Sequence, residues 1–139
     1  MALRIENIGY SDCLEGNHII SADNAVLIQI VDPDMDFPKP KYTFDFVYYF
    51  KFLDIEGKDA ESFPKYAITD RQALTIVEAL KTAIVLKQDV VVHCVMGVCR
   101  SGAVVSIGEI LGFEPVRVPY APNLLVKHKM LKALGIAYE

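Results

Sequence analysis

The sequence predicts an α/β protein with a central, mostly parallel sheet flanked by helices, and two observations support this prediction. First, apolar strand-like runs alternate along the chain with segments whose apolar residues recur at helical spacing. Second, Ala25–Val31 is apolar almost throughout, as is typical of a strand buried on both faces of a parallel sheet. A chain of 139 residues can bury a proper core, so we expect residues 1–139 to form one domain.

The other strands are less uniform in composition. Leu3–Ile5 could form a short strand, whereas the polar segment Ser11–Asn17 fits no regular element. Phe44–Leu53 predicts a second strand, whose many aromatic side chains are expected to fill the core. The charged segment Asp54–Glu61 has no regular pattern and is expected to be a loop. Val90–Val92 predicts a third, buried strand.

Three helices are predicted. In Thr69–Leu86, Thr69 and Gln72 have the spacing of a capping box, and the following apolar residues recur at helical spacing. Ser101–Leu111 predicts a second helix, directly after the loop that follows Val92. Asn123 is expected to cap a third helix that ends near Gly135.

Composition and charge exclude several classes of function. The net charge is -4 and the sequence pI is about 5.3, so a general affinity for nucleic acid or for an anionic membrane is not expected. The first twenty residues carry scattered charges, unlike a secretory signal, and no apolar run approaches the ~18 residues of a membrane helix. Three cysteines are too few for a disulfide framework, which favours a reducing cytoplasm.

No metal or other cofactor is expected. The aspartates of the Asp32–Pro40 loop have the spacing of a calcium loop, but Phe37 and Thr43 occupy the positions that need Gly and Glu. The loop is therefore interpreted as a solvated turn. A zinc site is disfavoured because Cys13, His18 and His128 lack ligand-like spacing.

The segment between Val92 and the second helix is the candidate functional loop. A strand that turns into a helix through a glycine-containing loop directs backbone N–H groups into one concavity, and the helix adds its positive N-terminal end. Such a site suits a tetrahedral dianion. Arg100 would clamp two of its oxygens, and Cys94 lies at the base, where the same donors would stabilise its thiolate.

A thiolate beneath a bound phosphate can act as an in-line nucleophile. Attack would give a phosphocysteine, which water then hydrolyses. Because the departing oxygen needs a proton, a carboxylic acid has to lie close above the site.

The run His93–Ser101 resembles the His-Cys-x5-Arg-Ser/Thr signature of the cysteine-dependent protein tyrosine phosphatases, and Gly102 fits as well. Within that superfamily the chain is similar to compact, dual-specificity-like bacterial and viral phosphatases, strongly in the loop and weakly over residues 25–135. The resemblance implies the phosphotyrosine phosphatase-like fold, with Cys94 as the nucleophile and Arg100 as the phosphate clamp. It also implies that Ser101 eases departure of the thiolate and that His93 organises the loop. The implied phosphate cradle consists of Val95, Met96, Gly97, Val98, Cys99 and Arg100.

The general acid of the family is an aspartate on the loop after a strand, and the resemblance leaves two choices here. Asp54 directly follows the aromatic strand, whereas Asp59 has the more usual separation from Cys94. Glu56, Glu61 or no acid at all stay open as further alternatives. The Trp-Pro-Asp motif of some relatives is absent, since the chain has no tryptophan.

Cys99 has two interpretations. It could form a reversible disulfide with Cys94 that protects the nucleophile from over-oxidation, or it could simply fill space in the loop. The low-molecular-weight phosphatases share this cysteine spacing, but they carry the motif at the N-terminus without the preceding His. The mid-chain position here favours the dual-specificity-like topology.

The variable loop positions are uncharged, which favours a monophosphate ester over a polyphosphorylated inositide. A phosphorylated protein or peptide is the expected substrate, with phosphotyrosine first and phosphoserine or phosphothreonine second, and the oligomeric state stays open. The alternatives are a pseudophosphatase that binds phosphoproteins without turnover, and a sulfurtransferase or arsenate reductase. Tyr120 and the loop Pro119–Asn123 could border the site.

Overall fold

The computed structural model describes residues 2–116 and 121–135 and contains a sheet of five strands, all of whose neighbours pair in parallel. The order across the sheet is β3-β2-β4-β1-β5. The strands are β1 (Arg4–Ile8), β2 (Ala25–Val31), β3 (Phe46–Lys51), β4 (Asp89–His93) and β5 (Glu114–Pro115). The helices are α1 (Tyr10–Glu15), α2 (Gly57–Ser62), α3 (Asp70–Val85), α4 (Arg100–Leu111) and α5 (Leu124–Ala133), and a 3-10 turn spans Pro64–Tyr66. The prediction of an α/β fold with a mostly parallel sheet and flanking helices is confirmed.

Both faces of the sheet are covered, because successive side chains of a strand point to opposite sides. On one face, Val26, Ile28 and Ile30 of β2 pack in a cluster with α3, α4 and α5. On the other face, Ala25 and Leu27 pack in a second cluster with Cys13 of α1 and with the segment that leads into β2. β2 is therefore buried along its whole length, as its continuous apolar sequence predicts.

The predicted helix starts are confirmed at two places. Gln72 N–H donates to Thr69 Oγ1 at 3.0 Å and Thr69 N–H donates to Gln72 Oε1 at 2.9 Å, which completes the capping box of α3. At α5, the side-chain oxygen of Asn123 accepts a hydrogen bond from Val126 N–H at 3.0 Å. Each cap joins residues only three positions apart, which explains why local sequence predicted both helix starts.

The first part of the chain differs from the sequence-based expectation. β1 extends to Ile8 rather than ending at Ile5, and its polar residues Glu6 and Asn7 are buried. Glu6 is accommodated because its carboxylate accepts hydrogen bonds from the backbone of the segment before β2, at Ile20 N–H for example at 2.9 Å. The segment Ser11–Asn17, which fits no regular element by sequence, contains most of α1.

Two expectations around β3 are wrong. The segment Asp54–Glu61 is not an irregular loop, because α2 begins within it at Gly57. The aromatic strand does not only fill the core: Phe46 is 56% and Tyr49 is 59% exposed, although Phe50 and Phe52 are buried. The reason is the position of β3 at the edge of the sheet, where a strand has only one paired neighbour.

The topology brings the ends of distant segments together. β3 and β4 both pair with β2 in parallel, so the residues that follow these three strands all lie at the carboxyl end of the sheet. These residues include Asp32 after β2, Phe52 and Asp54 after β3, and Cys94 after β4. The carboxyl end is where ligands bind in open parallel sheets.

No helix within residues 2–116 and 121–135 combines the length and apolar character needed to cross a membrane.

Candidate active site

The loop of residues 94–99 connects β4 to α4 and is shaped by one glycine. Gly97 has φ +77°, and a Cβ atom there would lie 2.5 Å from the carbonyl carbon of Ile8. Both the left-handed backbone and the close approach of β1 therefore require glycine. The loop is also held from β1, where Asn7 Nδ2 donates to Gly97 O at 2.7 Å, and from the start of α1, where Tyr10 N–H donates to Val95 O at 3.1 Å.

Cys94 lies at the base of this loop and is 2% exposed. Its sulfur accepts a hydrogen bond from Gly97 N–H at 3.2 Å and lies 3.2 Å from Ser101 Oγ in the first turn of α4. Both contacts can stabilise negative charge on sulfur, because each group can donate a hydrogen bond to it. The structure thus brings together three of the residues that the sequence singled out.

The loop also presents unused donors. Within the described part of the chain, the backbone amides of Val95, Met96 and Val98 donate no hydrogen bond. Successive free N–H groups in a loop that leads into a helix N-terminus form a concavity that attracts anions. The side chain of Met96 is 79% exposed, so this loop presents an apolar side chain to solvent.

Arg100 begins α4 and is only 4% exposed. Its Nη1 atom donates to Asp32 Oδ1 at 2.7 Å and to the carbonyl oxygen of Phe52 at 2.6 Å. Its Nε atom is buried and has no hydrogen-bond partner among the described residues. One edge of the guanidinium is therefore fixed by the protein, while Nε is left for a ligand.

The two candidate acids lie in different environments. Asp54 Oδ1 accepts a hydrogen bond from Asn123 Nδ2 at 2.7 Å. The next residue, Leu124, donates its N–H to Glu56 Oε2, also at 2.7 Å. Asp59 is exposed in the first turn of α2. Asp54 and Glu56 thus both contact the segment of Asn123, which is hydrogen-bonded to the loop, whereas within the described residues no such contact is made by Asp59.

Cys99 connects Asp54 to the loop. Burial raises the pKa of the Cys99 thiol, and the charge and side-chain hydrogen bond of Asp54 raise it further. Asn123 N–H in turn donates to the carbonyl oxygen of Cys99 at 2.9 Å. All cysteines are free thiols, and Cys99 is partly exposed whereas Cys94 is buried.

His93, the last residue of β4, lies completely buried beneath the loop. Its Nε2 atom lies 3.1 Å from Gln29 Oε1, on the strand that pairs with it. Burial and, more weakly, the positive charge of Arg100 lower its pKa to about 4, although a hydrogen bond to the Cys94 carbonyl acts in the opposite direction. The ring is therefore neutral at physiological pH.

Four residues of this environment were missed by sequence reasoning: Asn7, Gln29, Asp32 and Asn123 in its role beside Asp54. Gln29 interrupts the otherwise apolar β2, Asn7 follows Glu6 in β1, and both residues are buried. A polar residue in a buried strand is a signal that could have identified them. Asp32 carried the weaker signal of an acid directly after a strand. Residues 117–120, including Tyr120, lie outside the described residues.

A shallow pocket of about 290 Å³ adjoins the partners of Arg100. It is lined by Pro33, Asp34, Leu53 and Tyr66.

Among the described residues, no group of three or more His, Cys, Asp and Glu side chains is arranged to hold a metal ion.

Comparisons with known proteins identify the fold. No protein-family model matches the chain, and no curated protein matches its sequence. Among solved structures, the chain is similar to the crystal structure of the human tyrosine phosphatase-like serine/threonine/tyrosine-interacting protein, with a TM-score of 0.56 and 16% sequence identity. The match covers 93% of this chain and 89% of the human one. The chain therefore has the fold of a tyrosine phosphatase-like protein.

Proposed function

We propose that this protein hydrolyses phosphomonoesters through a phosphocysteine intermediate on Cys94. The observation that carries the proposal is the buried, unpartnered Nε of Arg100 beside a loop with unused N–H donors and a cysteine at its base. A buried guanidinium N–H without a partner is costly unless a ligand accepts its hydrogen bond. A tetrahedral dianion would meet Nε and the loop amides together.

In the proposed reaction, the Cys94 thiolate attacks phosphorus and the bridging oxygen leaves with a proton from a carboxylic acid. Water then attacks the phosphocysteine and gives its proton to the carboxylate, and the phosphorus–sulfur bond breaks. Phosphate is released, and the sulfur leaves as a thiolate that accepts hydrogen bonds from Gly97 N–H and the Ser101 hydroxyl. Arg100 and the loop amides hold the equatorial oxygens during both steps.

Asp54 is proposed as the general acid. It lies after β3 at the edge of the sheet that carries Cys94, and it contacts Asn123, whose backbone is bonded to Cys99 of the loop. Asp59 is supported less because, within the described residues, its side chain makes no hydrogen bond to the loop or to Asn123. The two are separated by Asp54→Asn and Asp59→Asn, assayed with p-nitrophenyl phosphate and with phenyl phosphate. Loss of the acid should lower turnover of phenyl phosphate by about 100-fold and of the activated ester much less, because a poor leaving group needs the proton. If Asp59→Asn alone shows this contrast, the assignment of Asp54 is wrong.

The proposed substrates are phosphorylated proteins or peptides, with phosphotyrosine first and phosphoserine or phosphothreonine second. Uncharged side chains on the loop offer no cation for additional phosphates, and the exposed Met96 and the pocket beside Leu53 provide apolar contacts for an aryl ester. A shallow pocket encloses little of the substrate, which supports broad rather than strict specificity.

The alternative is a phosphoprotein-binding protein without turnover. The name of the human structural neighbour describes it as phosphatase-like and interacting, which keeps this alternative in consideration. The decisive experiment compares hydrolysis of p-nitrophenyl phosphate by the wild type and by Cys94→Ser. We expect turnover in the wild type and a loss on the order of a thousand-fold or more in the variant. Equal turnover in both would overturn the role of Cys94, and phosphopeptide binding by both without turnover would favour the alternative.

A further inference from the structure

Asn123 lies where three segments of the chain meet. Its side-chain Nδ2 donates to Asp54 Oδ1 at 2.7 Å and to the carbonyl oxygen of Ile55 at 3.2 Å. Its backbone N–H donates to the carbonyl oxygen of Cys99 at 2.9 Å, and its Oδ1 accepts from Val126 N–H at 3.0 Å. Asn123 itself is 4% exposed, so its side chain is held inside the protein. One residue thus links the segment of Asp54, the loop of Cys94 and the start of α5.

Helix capping explains only half of this side chain. An N-cap needs an oxygen that accepts a backbone N–H, and Ser, Thr or Asp supplies one as well as Asn does. The amide donor is not needed for the cap, and here both of its bonds go to the segment of Asp54. The cap of α3 shows the contrast, because the hydroxyl of Thr69 serves its own helix and contacts no distant carboxylate in the described chain.

The carboxylate of Asp54 needs such a restraint. The residue is exposed, and an exposed side chain on a segment without regular structure samples several rotamers. A general acid acts efficiently only when it is held within hydrogen-bond reach of the departing oxygen. A buried amide donor at 2.7 Å restricts the carboxylate, and the Asn123 backbone bond to Cys99 relates it to the loop.

We propose that Asn123 is a positioning residue that holds Asp54 beside the loop of Cys94 through its side-chain amide. This inference rests on the proposed function, since it gives Asn123 its role through the acid.

The test uses Asn123→Ser, which keeps an oxygen for the cap of α5 and removes the amide donor. We expect turnover of phenyl phosphate to fall about ten-fold while turnover of p-nitrophenyl phosphate stays within about two-fold. In the Asp54→Asn background, adding Asn123→Ser should change neither rate further, because the group that Asn123 positions is already lost. If Asn123 only stabilised the fold, Asn123→Ser would lower turnover of both esters equally, and its effect would add to that of Asp54→Asn. Either result overturns the proposal.

Thr69→Ala is the matched control, because it removes a helix cap without touching the site. It should lower stability and leave the ratio of the two rates unchanged. Asn123→Asp is the second variant: it caps well, but its carboxylate repels Asp54, so the same contrast between the two esters is expected. Failure of both Asn123 variants to fold would assign the residue to the fold and overturn the proposal. If the wild type has no turnover, the proposed function is refuted. If the wild type is active and the Asn123 variants keep its ratio of turnover between the two esters, only this inference is refuted.

Discussion

Asp32 Oδ1 and Arg100 Nη1 lie 2.7 Å apart, although 68 positions separate the two residues in the chain. The guanidinium is 5% and the carboxylate 32% exposed, so the cation is buried and its partner reaches solvent. Together with the carbonyl of Phe52, Asp32 occupies one nitrogen of Arg100 and orients the others. The pair therefore holds the guanidinium in a fixed orientation.

This pair leads to a prediction about phosphate binding. Asp32→Asn should lower kcat/KM for p-nitrophenyl phosphate by about ten-fold or more, because a charge-assisted hydrogen bond contributes about 1.5–3 kcal/mol. Asp36→Asn, which removes the same charge from an exposed position four residues on, is the control and should stay close to the wild type. Equal losses in the two variants would mean that only net charge matters.

Gly97→Ala should destabilise the protein more than Gly57→Ala, although both glycines have a positive φ. At Gly57 a Cβ atom meets nothing within 4 Å, so the cost is the left-handed backbone alone, about 1–2 kcal/mol. At Gly97 the Cβ also collides with the backbone of Ile8, which adds about 1–3 kcal/mol. Urea unfolding measures both variants, and equal losses would show that the loop relaxes away from β1 without cost.

The buried His93 predicts a loss of stability in acid. Its pKa is about 4 in the folded protein and 6.5 in the unfolded chain, so the unfolded chain binds the proton first. Stability should therefore fall as the pH decreases from about 7 to 4, by up to about 3 kcal/mol from this residue. His93→Gln should show a smaller difference between urea unfolding at pH 7 and at pH 4.5 than the wild type. The same difference in both proteins would contradict the assignment.

Mild peroxide should link Cys94 to Cys99. Peroxide oxidises the Cys94 thiolate to a sulfenic acid, and the Cys99 thiolate then attacks that sulfur, forming the disulfide and releasing hydroxide. Because Asp54 raises the pKa of Cys99, Asp54→Asn should speed disulfide formation. Cys13, whose burial raises its pKa to about 11, should stay unmodified and serves as the internal control. Mass spectrometry checks this prediction, and a sulfinic acid on Cys94 without the link would contradict it.

The parts of the molecule that the sequence determined by itself are those encoded by neighbouring residues. The capping box of Thr69 and Gln72, the buried strand Ala25–Val31 and the strand-loop-helix around Cys94 each depend on a short pattern. For such elements, periodicity and local hydrogen bonds are sufficient, since the interacting groups are only a few positions apart.

The tertiary structure decided which distant groups surround that loop. The order β3-β2-β4-β1-β5 brings distant segments to the carboxyl end of the sheet. Only for this reason does Asp32 contact Arg100, Asn7 contact Gly97 and Asn123 contact Asp54. Strand order depends on how the helices and strands pack as a whole, and a local pattern does not record it. The exposure of Phe46 and Tyr49 has the same origin, because the strand composition does not tell an edge from the centre of a sheet.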